Sequence, residues 1–178
     1  STCATCDTTA GMSTYATVRE MKKILQNMTG WLDKAAAFAA TKKFEPDTML
    51  TWRLAPDMLP FSFQIQTTCD SAKYAASRAA GKESPSHPDT ETTVAALKQR
   101  LESVCTYLDT FSEKDFAGDD TRMISLPRWE GKKMAAADYV TEHAAPNFFF
   151  HATMTYALLR HNGVELGKRD FLGALSYR

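Results

Sequence analysis

What is scarce in these residues narrows the possibilities first. The 178-residue chain has 8 glycines, 7 prolines and 4 cysteines. These are too few for a collagen-like, low-complexity or disulfide-scaffold architecture. Neither sign of charge is in excess: 21 Lys+Arg against 21 Asp+Glu give a formal net charge of zero. The chain therefore lacks the positive field that displaces counterions from phosphates, and no nucleic-acid partner is expected. No apolar run reaches the ~18 residues of a membrane span, so no membrane partner is expected either. A charged segment leading into an apolar one, the mark of a signal peptide, is also missing. Together these absences predict a soluble, cytoplasmic protein. Nucleophile elbows, phosphate loops and dinucleotide fingerprints are absent as well, which sets aside hydrolase-fold, kinase and Rossmann chemistries.

The cysteines divide into two kinds. Cys69 and Cys105 fall in helical apolar stripes and are expected to be reduced core residues. Cys3 and Cys6 have the CxxC spacing of redox and zinc-knuckle sites, but no second CxxC or histidine pair completes a zinc set. They sit in "STCATCDTTAG", just ahead of Met12. Residues 1–12 are accordingly expected to be a flexible tail or an expression remnant, with 13–178 forming one domain.

What is present is periodicity. The chain is 44% hydrophobic and long enough to bury roughly 70% of its unfolded surface in a single core. Val18, Met21, Leu25, Met28, Leu32, Ala35 and Ala39 recur at three- and four-residue steps, predicting a helix from about Ser13 to Lys43. The two prolines of "FEPDTMLTWRLAPD" break it. A second helix is predicted from about Met58 to Ala80, with Gly81 as its terminating residue. "KESPSHPD" reads as the turn that follows. Val94, Leu97, Leu101, Val104, Leu108 and Phe111 mark a third helix over about 89–111, with a seam suited to bundle packing. Residues 112–133, including "TRMISLPRWEGKK", read as a β-ribbon or ordered loop. A fourth helix is predicted over about 135–160, ending at Asn162-Gly163, and the tail is expected to pack back through Phe171 and Leu172. The expectation is an all-α, up-down four-helix bundle with an inserted ribbon.

Polar residues interrupt the apolar faces of two helices. In "PNFFFHATMTYALLRHNG", His143 just upstream, Asn147 and His151 form an i, i+4, i+8 ladder that shares its face with Met154 and Leu158, with Val140 and Phe150 alongside. Pro146 lies within the ladder and should kink the helix or restart it, freeing a carbonyl near Glu142. On the second helix Gln66, Asp70, Lys73 and Ser77 share a stripe. Buried polar groups need partners, and bundles build sites from facing helices. Two readings stay open. In one, Gln66 and Asp70 face Asn147 and His151 across a pocket. In the other, Asp70–Lys73 is a solvated i, i+3 pair and His151 bonds to a buried carbonyl.

Several stretches carry a resemblance: "GWLDKAAAFAATKKFEPDTMLTWRLAPDMLPF", "QIQTTCDSAKYAASRAAGKESP" and "PNFFFHATMTYALLRHNGVELGKRDFLG", with the spacing between them. They resemble an uncharacterised bacterial and fungal family in the DinB/YfiT-like helical-bundle superfamily, over about Ser13 to Gly173. The resemblance implies a DinB-like four-helix bundle. It also implies a divalent-metal site of three histidines, one on the second helix and two as HxxxH on the fourth. His151 takes the third ligand position. Asn147 stands where the preceding histidine belongs, and Gln66 lies near the second-helix position, so two imidazoles are missing. Amide oxygens replace imidazole poorly at zinc or nickel. His143 does not restore the set, because eight helical residues rise ~12 Å against ~6 Å for i, i+4 ligands.

Three functions follow as expectations. The first is an enzyme acting on a small molecule without a tight metal, with His151 as acid/base beside Asp70. In it Gln66, Asn147 and His143 orient the substrate, Phe150, Met154 and Trp129 wall it, and Lys73 and Arg53 hold an anionic group. No tight cofactor is expected; a weak divalent metal would use His151, Asn147 and Gln66. The second is a metal-dependent DinB-like transferase or hydrolase. The third is a non-catalytic ligand carrier, or a homodimer built through an exposed helix face.

Overall fold

The computed structural model describes residues 13–178; the tail carrying Cys3 and Cys6 lies outside them. Four long helical segments enclose one hydrophobic core. They are α1 (Thr14–Lys42), α2 (Phe61–Ala80), α3 (Val94–Leu108) and a continuous helical run over 136–161. That run comprises α4 (Ala136–Asp138), a π-helical turn (Tyr139–Ala144) and α5 (Ala145–His161). A short α6 (Lys168–Leu172) closes the chain.

The apolar stripes expected for α1 and α3 are buried at every named position, from Val18 to Ala39 and from Val94 to Phe111. The Ser13 hydroxyl accepts from the Ala16 N–H and caps α1. Gly81 ends α2 at φ +65°, a left-handed conformation that glycine adopts without a Cβ clash. Two helices start later than expected. α2 begins after Pro60, and α3 begins at Val94 because Asp89 and Glu91 are drawn away to Arg100. The Thr93 hydroxyl then accepts from Ala96 N–H, and Asp47 accepts from Val94 N–H.

The order of the helices departs from strict alternation. Along α1 and α3, Lys22 pairs with Asp109 and Asp33 with Lys98, so these helices run antiparallel. Across α2 and α5, Gln64 meets His151, Ser71 meets Asn147, and Arg78 meets Tyr139 of the π turn, again antiparallel. Between α2 and α3 the numbers rise together: Asp70 bonds Arg100, and the Tyr107 hydroxyl donates to Glu83 O just past the end of α2. α2 and α3 are therefore parallel, and the chain runs up, down, down, up. A parallel neighbour needs a crossover the length of the bundle, which residues 81–93 supply.

The ribbon is small. β1 (Met123–Ile124) pairs antiparallel with β2 (Met134–Ala135), just past the expected limit of 133. At the C-terminus Phe171 stacks on Trp31, with centroids 5.3 Å apart, while Leu172 stays partly exposed. Cys69 is buried and Cys105 half-buried, both as free thiols. Burial pushes the Cys105 thiol up to about 11, so neither its packing nor its ionisation suggests a nucleophile. Among the described residues no helix is long and apolar enough to cross a membrane.

Candidate functional site

The helical run over 136–161 passes Pro146 without a break. Instead of the expected kink or restart, the backbone widens: the Ala145 N–H donates to Val140 O, five residues back. This wider turn accommodates the proline, which cannot donate to Glu142 O and whose ring crowds that carbonyl in a regular α-helix. Val140, Ala144, Phe148, Ala152, Thr155 and Leu159 form the buried stripe. The His143–Asn147–His151 ladder is displaced by one residue from it, on the flank toward α2. Phe150 points outward, 53% exposed, and walls nothing.

α2 meets this flank with Gln64, Ser71 and Arg78, seven residues apart and hence on one face. His151 Nδ1 lies 2.8 Å from Gln64 Oε1, and Gln64 Nε2 donates to Leu59 O. An amide oxygen can only accept, so the imidazole proton sits on Nδ1 and Nε2 is left basic. Nε2 is not among the buried unpartnered atoms and makes no hydrogen bond, so it reaches solvent. Burial holds the His151 pKa below the usual histidine value. Asn147 Nδ2 donates to Ser71 Oγ at 2.7 Å. The expected pairing of Asp70 and Gln66 with His151 is therefore replaced by Gln64, two residues earlier on α2.

Gln66, Asp70 and Lys73 belong to a different stripe, turned toward α3 and the crossover. There Arg100, with only 1% of its side chain exposed, bonds Asp70 at 3.1 Å, Asp89 at 2.8 Å and Glu91 at 3.0 Å. Gln66 Nε2 donates to Glu91 Oε2. Burial alone would raise the Glu91 pKa, but the bonds from Gln66 and Arg100 bring it below the usual value. Asp70 also accepts from Lys73 at 2.8 Å, and that lysine is buried rather than solvated. Lys73 approaches His87 Nδ1 at 3.4 Å, and His87 Nε2 meets Ser103 Oγ on α3. These residues staple the crossover to the bundle. Arg53 stands apart, exposed and bonded to Met58 O, and Met154 is half-buried away from the polar groups.

The π turn opens a cavity of about 440 Å³ between α2, the turn and the loop at Leu126–Arg128. Of the expected site residues, Asp70, His143 and Asn147 line it. The sequence reading missed Ser71, Tyr74, Arg78, Arg128 and Tyr139. The heptad spacing of Gln64, Ser71 and Arg78 was the available signal for the α2 side. Tyr139 stacks on His143 at 5.4 Å, with Trp129 edge-on to both. Arg78 Nη1 donates to the Tyr139 hydroxyl at 2.7 Å, and Arg128 donates to His143 Nε2. Burial first, then Arg128 and Arg78, lowers the His143 pKa and favours the neutral ring, as its acceptance from Arg128 requires. A larger hollow of about 860 Å³ lies where α1, α3 and the C-terminal tail meet. It is a groove at the rim; its Lys22 and Lys23 are already neutralised by Asp109 and Glu20.

The three-histidine metal implied by the wider superfamily does not fit these residues. Gln64 and Asn147 offer only amides beside the single imidazole of His151, and the Asn147 nitrogen is committed to Ser71. Among the described residues no three His, Cys, Asp or Glu side chains are grouped to hold an ion.

Residues 14–172 match the family described as "Domain of unknown function (DUF1993)". A crystal structure of a DinB family member protein from Shewanella denitrificans is similar over 92% of this chain and 94% of its own, at 47% identity and a TM-score of 0.89. No curated protein matches. The matched span takes in all four long helical segments and every residue of the cavity, and the chain belongs to the DUF1993 family, with a DinB-like all-α bundle fold.

Proposed function

We propose that this protein binds a small molecule in the cavity between α2, the π turn and the Leu126–Arg128 loop, without a tightly held metal. One observation carries the reading. The helix widens at the point where a concave space of ligand size forms, about 440 Å³, within the ~300–1,000 Å³ of typical small-molecule sites. π turns of this kind recur at functional sites. The lining combines aromatic walls (Tyr74, Tyr139) with a few convergent polar groups (Ser71, His143, Asn147), the usual division between affinity and orientation.

The test is a fragment screen on the full chain by backbone NMR. Binding fragments should move the signals of Ser71, Tyr74, His143 and Asn147 together. Thr67→Trp, which fills the cavity from the α2 rim, should abolish those shifts. A fragment set that never perturbs these residues would refute the reading.

A second reading, acid/base catalysis at His151, is favoured by its fixed tautomer. The Nδ1–H bond to Gln64 leaves Nε2 open to solvent one helical turn beyond Asn147, the last cavity residue on α5. In this reading Gln64 takes the orienting role that Asp70 was expected to fill. A neutral amide orients the ring without the added basicity of a carboxylate. His151→Gln that binds the cavity ligand normally and fails to turn it over would support catalysis; unchanged turnover would refute it.

A further inference from the structure

Several cations of the bundle have an anion beside them. Lys22, Lys34, Lys82 and Lys98 meet carboxylates at the surface, and Lys73 and Arg100 do so inside. Arg78 and Arg128 line the same cavity, and among the described residues neither has a carboxylate at ion-pair distance. Arg78 is half-buried between two rings, 4.3 Å from the Tyr74 centroid and 5.5 Å from that of Tyr139. Each guanidinium spends one donation on the protein, to the Tyr139 hydroxyl and to His143 Nε2 respectively. A guanidinium carries five N–H donors, so most of both forks lack a protein acceptor.

His143 adds to the surplus. Arginine can only donate, so the His143 Nε2 accepts and the proton of the neutral ring resides on Nδ1. That Nδ1 is buried without a partner. Among the described residues Asp70 is the one carboxylate lining the cavity, and its Oδ1 is already shared by Lys73 and Arg100. The wall is therefore positive and rich in unfilled donors. The free guanidinium donors face the open cavity rather than dry core, and a planar fork matches a carboxylate or phosphate edge with two parallel bonds.

We infer that the cavity takes a small molecule bearing an oxyanion, a carboxylate or phosphate group, held between the guanidiniums of Arg78 on α2 and Arg128 on the ribbon loop. The inference rests on the cavity being the binding site, as proposed above. Tyr74 and Tyr139 would flank the remainder of the ligand.

The probes are benzoate, its neutral counterpart benzamide, and inorganic phosphate, each titrated into the full chain and followed by backbone NMR at Tyr74, His143 and Asn147. Benzoate or phosphate should bind at least tenfold tighter than benzamide. Preference for benzoate would identify a carboxylate ligand, and preference for phosphate a phosphate ester. Arg128→Gln and Arg78→Gln should each weaken the anion at least tenfold. Arg78→Lys should weaken it less, and Arg169→Gln on α6 should leave it unchanged. Arg128 is exposed on a loop, so its variant keeps the fold even if Arg78→Gln does not. Equal binding of benzoate and benzamide, with both indifferent to Arg128→Gln, would overturn the anion assignment and leave the cavity reading standing. Cavity signals unmoved by these probes and by the neutral fragment set would overturn both.

Discussion

Arg100→Met is the most direct test of how the α2–α3 side of the bundle is held. The substitution keeps the aliphatic stem and removes the charge from a side chain that is 1% exposed. Three carboxylates then lose their shared partner. Truncating one member of a buried ion cluster costs about 3–5 kcal/mol when the survivors stay dry. Here they do not all stay dry. Asp89 is 54% exposed and rehydrates, and Asp70 keeps Lys73. Glu91, 11% exposed and left with Gln66, is the most stranded. The loss should therefore fall at or below the low end of that range, about 2–3 kcal/mol, or roughly 4–12 °C in Tm for a chain of this size. Urea unfolding followed by far-UV circular dichroism should show a lower midpoint with an unchanged slope. The companion Arg100→Met/Glu91→Gln should recover part of the loss, and amide exchange across residues 82–93 should quicken in the single variant. A midpoint equivalent to within about 0.5 kcal/mol of the parent would refute the cluster as a staple and return Asp70 to the list of available acids.

Three further outcomes follow from the geometry. His151→Ala should destabilise by about 1–3 kcal/mol, since Gln64, 3% exposed, loses the donor to its Oε1; an unchanged urea midpoint would show that the bond contributes nothing. Asn147→His should raise Ni²⁺ affinity at least tenfold by calorimetry, because it sets two imidazoles at i, i+4 on the same flank; no gain would show that 147 and 151 do not converge. Stability should also fall with acid. Burial, aided by Lys73 for His87 and by Arg128 for His143, holds the pKa of His87, His143 and His151 below the ordinary value. The unfolded chain protonates these rings near pH ~6.5 while the folded chain resists. The stabilisation is therefore complete above that pH and is lost as pH drops below it. A urea midpoint that rises or stays level from about pH 7.5 to about pH 5.5 would contradict the assignment.

The helices could be read from the sequence where apolar residues repeat against polar ones. Val18 to Ala39 and Val94 to Phe111 carry an unambiguous stripe, and burial by any neighbouring helix satisfies it. α2 was harder, because it is polar on two flanks. Gln66, Asp70 and Lys73 lie on one, and Gln64, Ser71 and Arg78 on the other. Periodicity places each set on a face but does not say which helix that face meets. The answer depends on α2 and α3 running parallel, which depends in turn on how the 81–93 crossover packs. Once α3 takes the first flank, Asp70 and Gln66 are committed to Arg100 and its partners, and the second flank is left to face His151 and Asn147.

The π turn was hidden for a related reason. Pro146 signals a disturbance, yet a kink, a restart and a widened turn all spare its missing N–H, and only packing against α2 and the ribbon selects among them. That choice also determines what the ladder on the fourth helical segment can do. Its widened end carries His143 into a wall with Tyr139, Arg128 and Arg78, while its regular end leaves His151 on Gln64 with one nitrogen open. The resemblance to a three-histidine site drew attention to His151, but two turns away two guanidiniums share one cavity, and among the described residues neither has a carboxylate of its own. A polar group that the protein leaves unmatched is a better guide to a ligand than one it has already paired. By that criterion the cavity beneath the π turn, more than the imidazole at its edge, is where binding should be sought first.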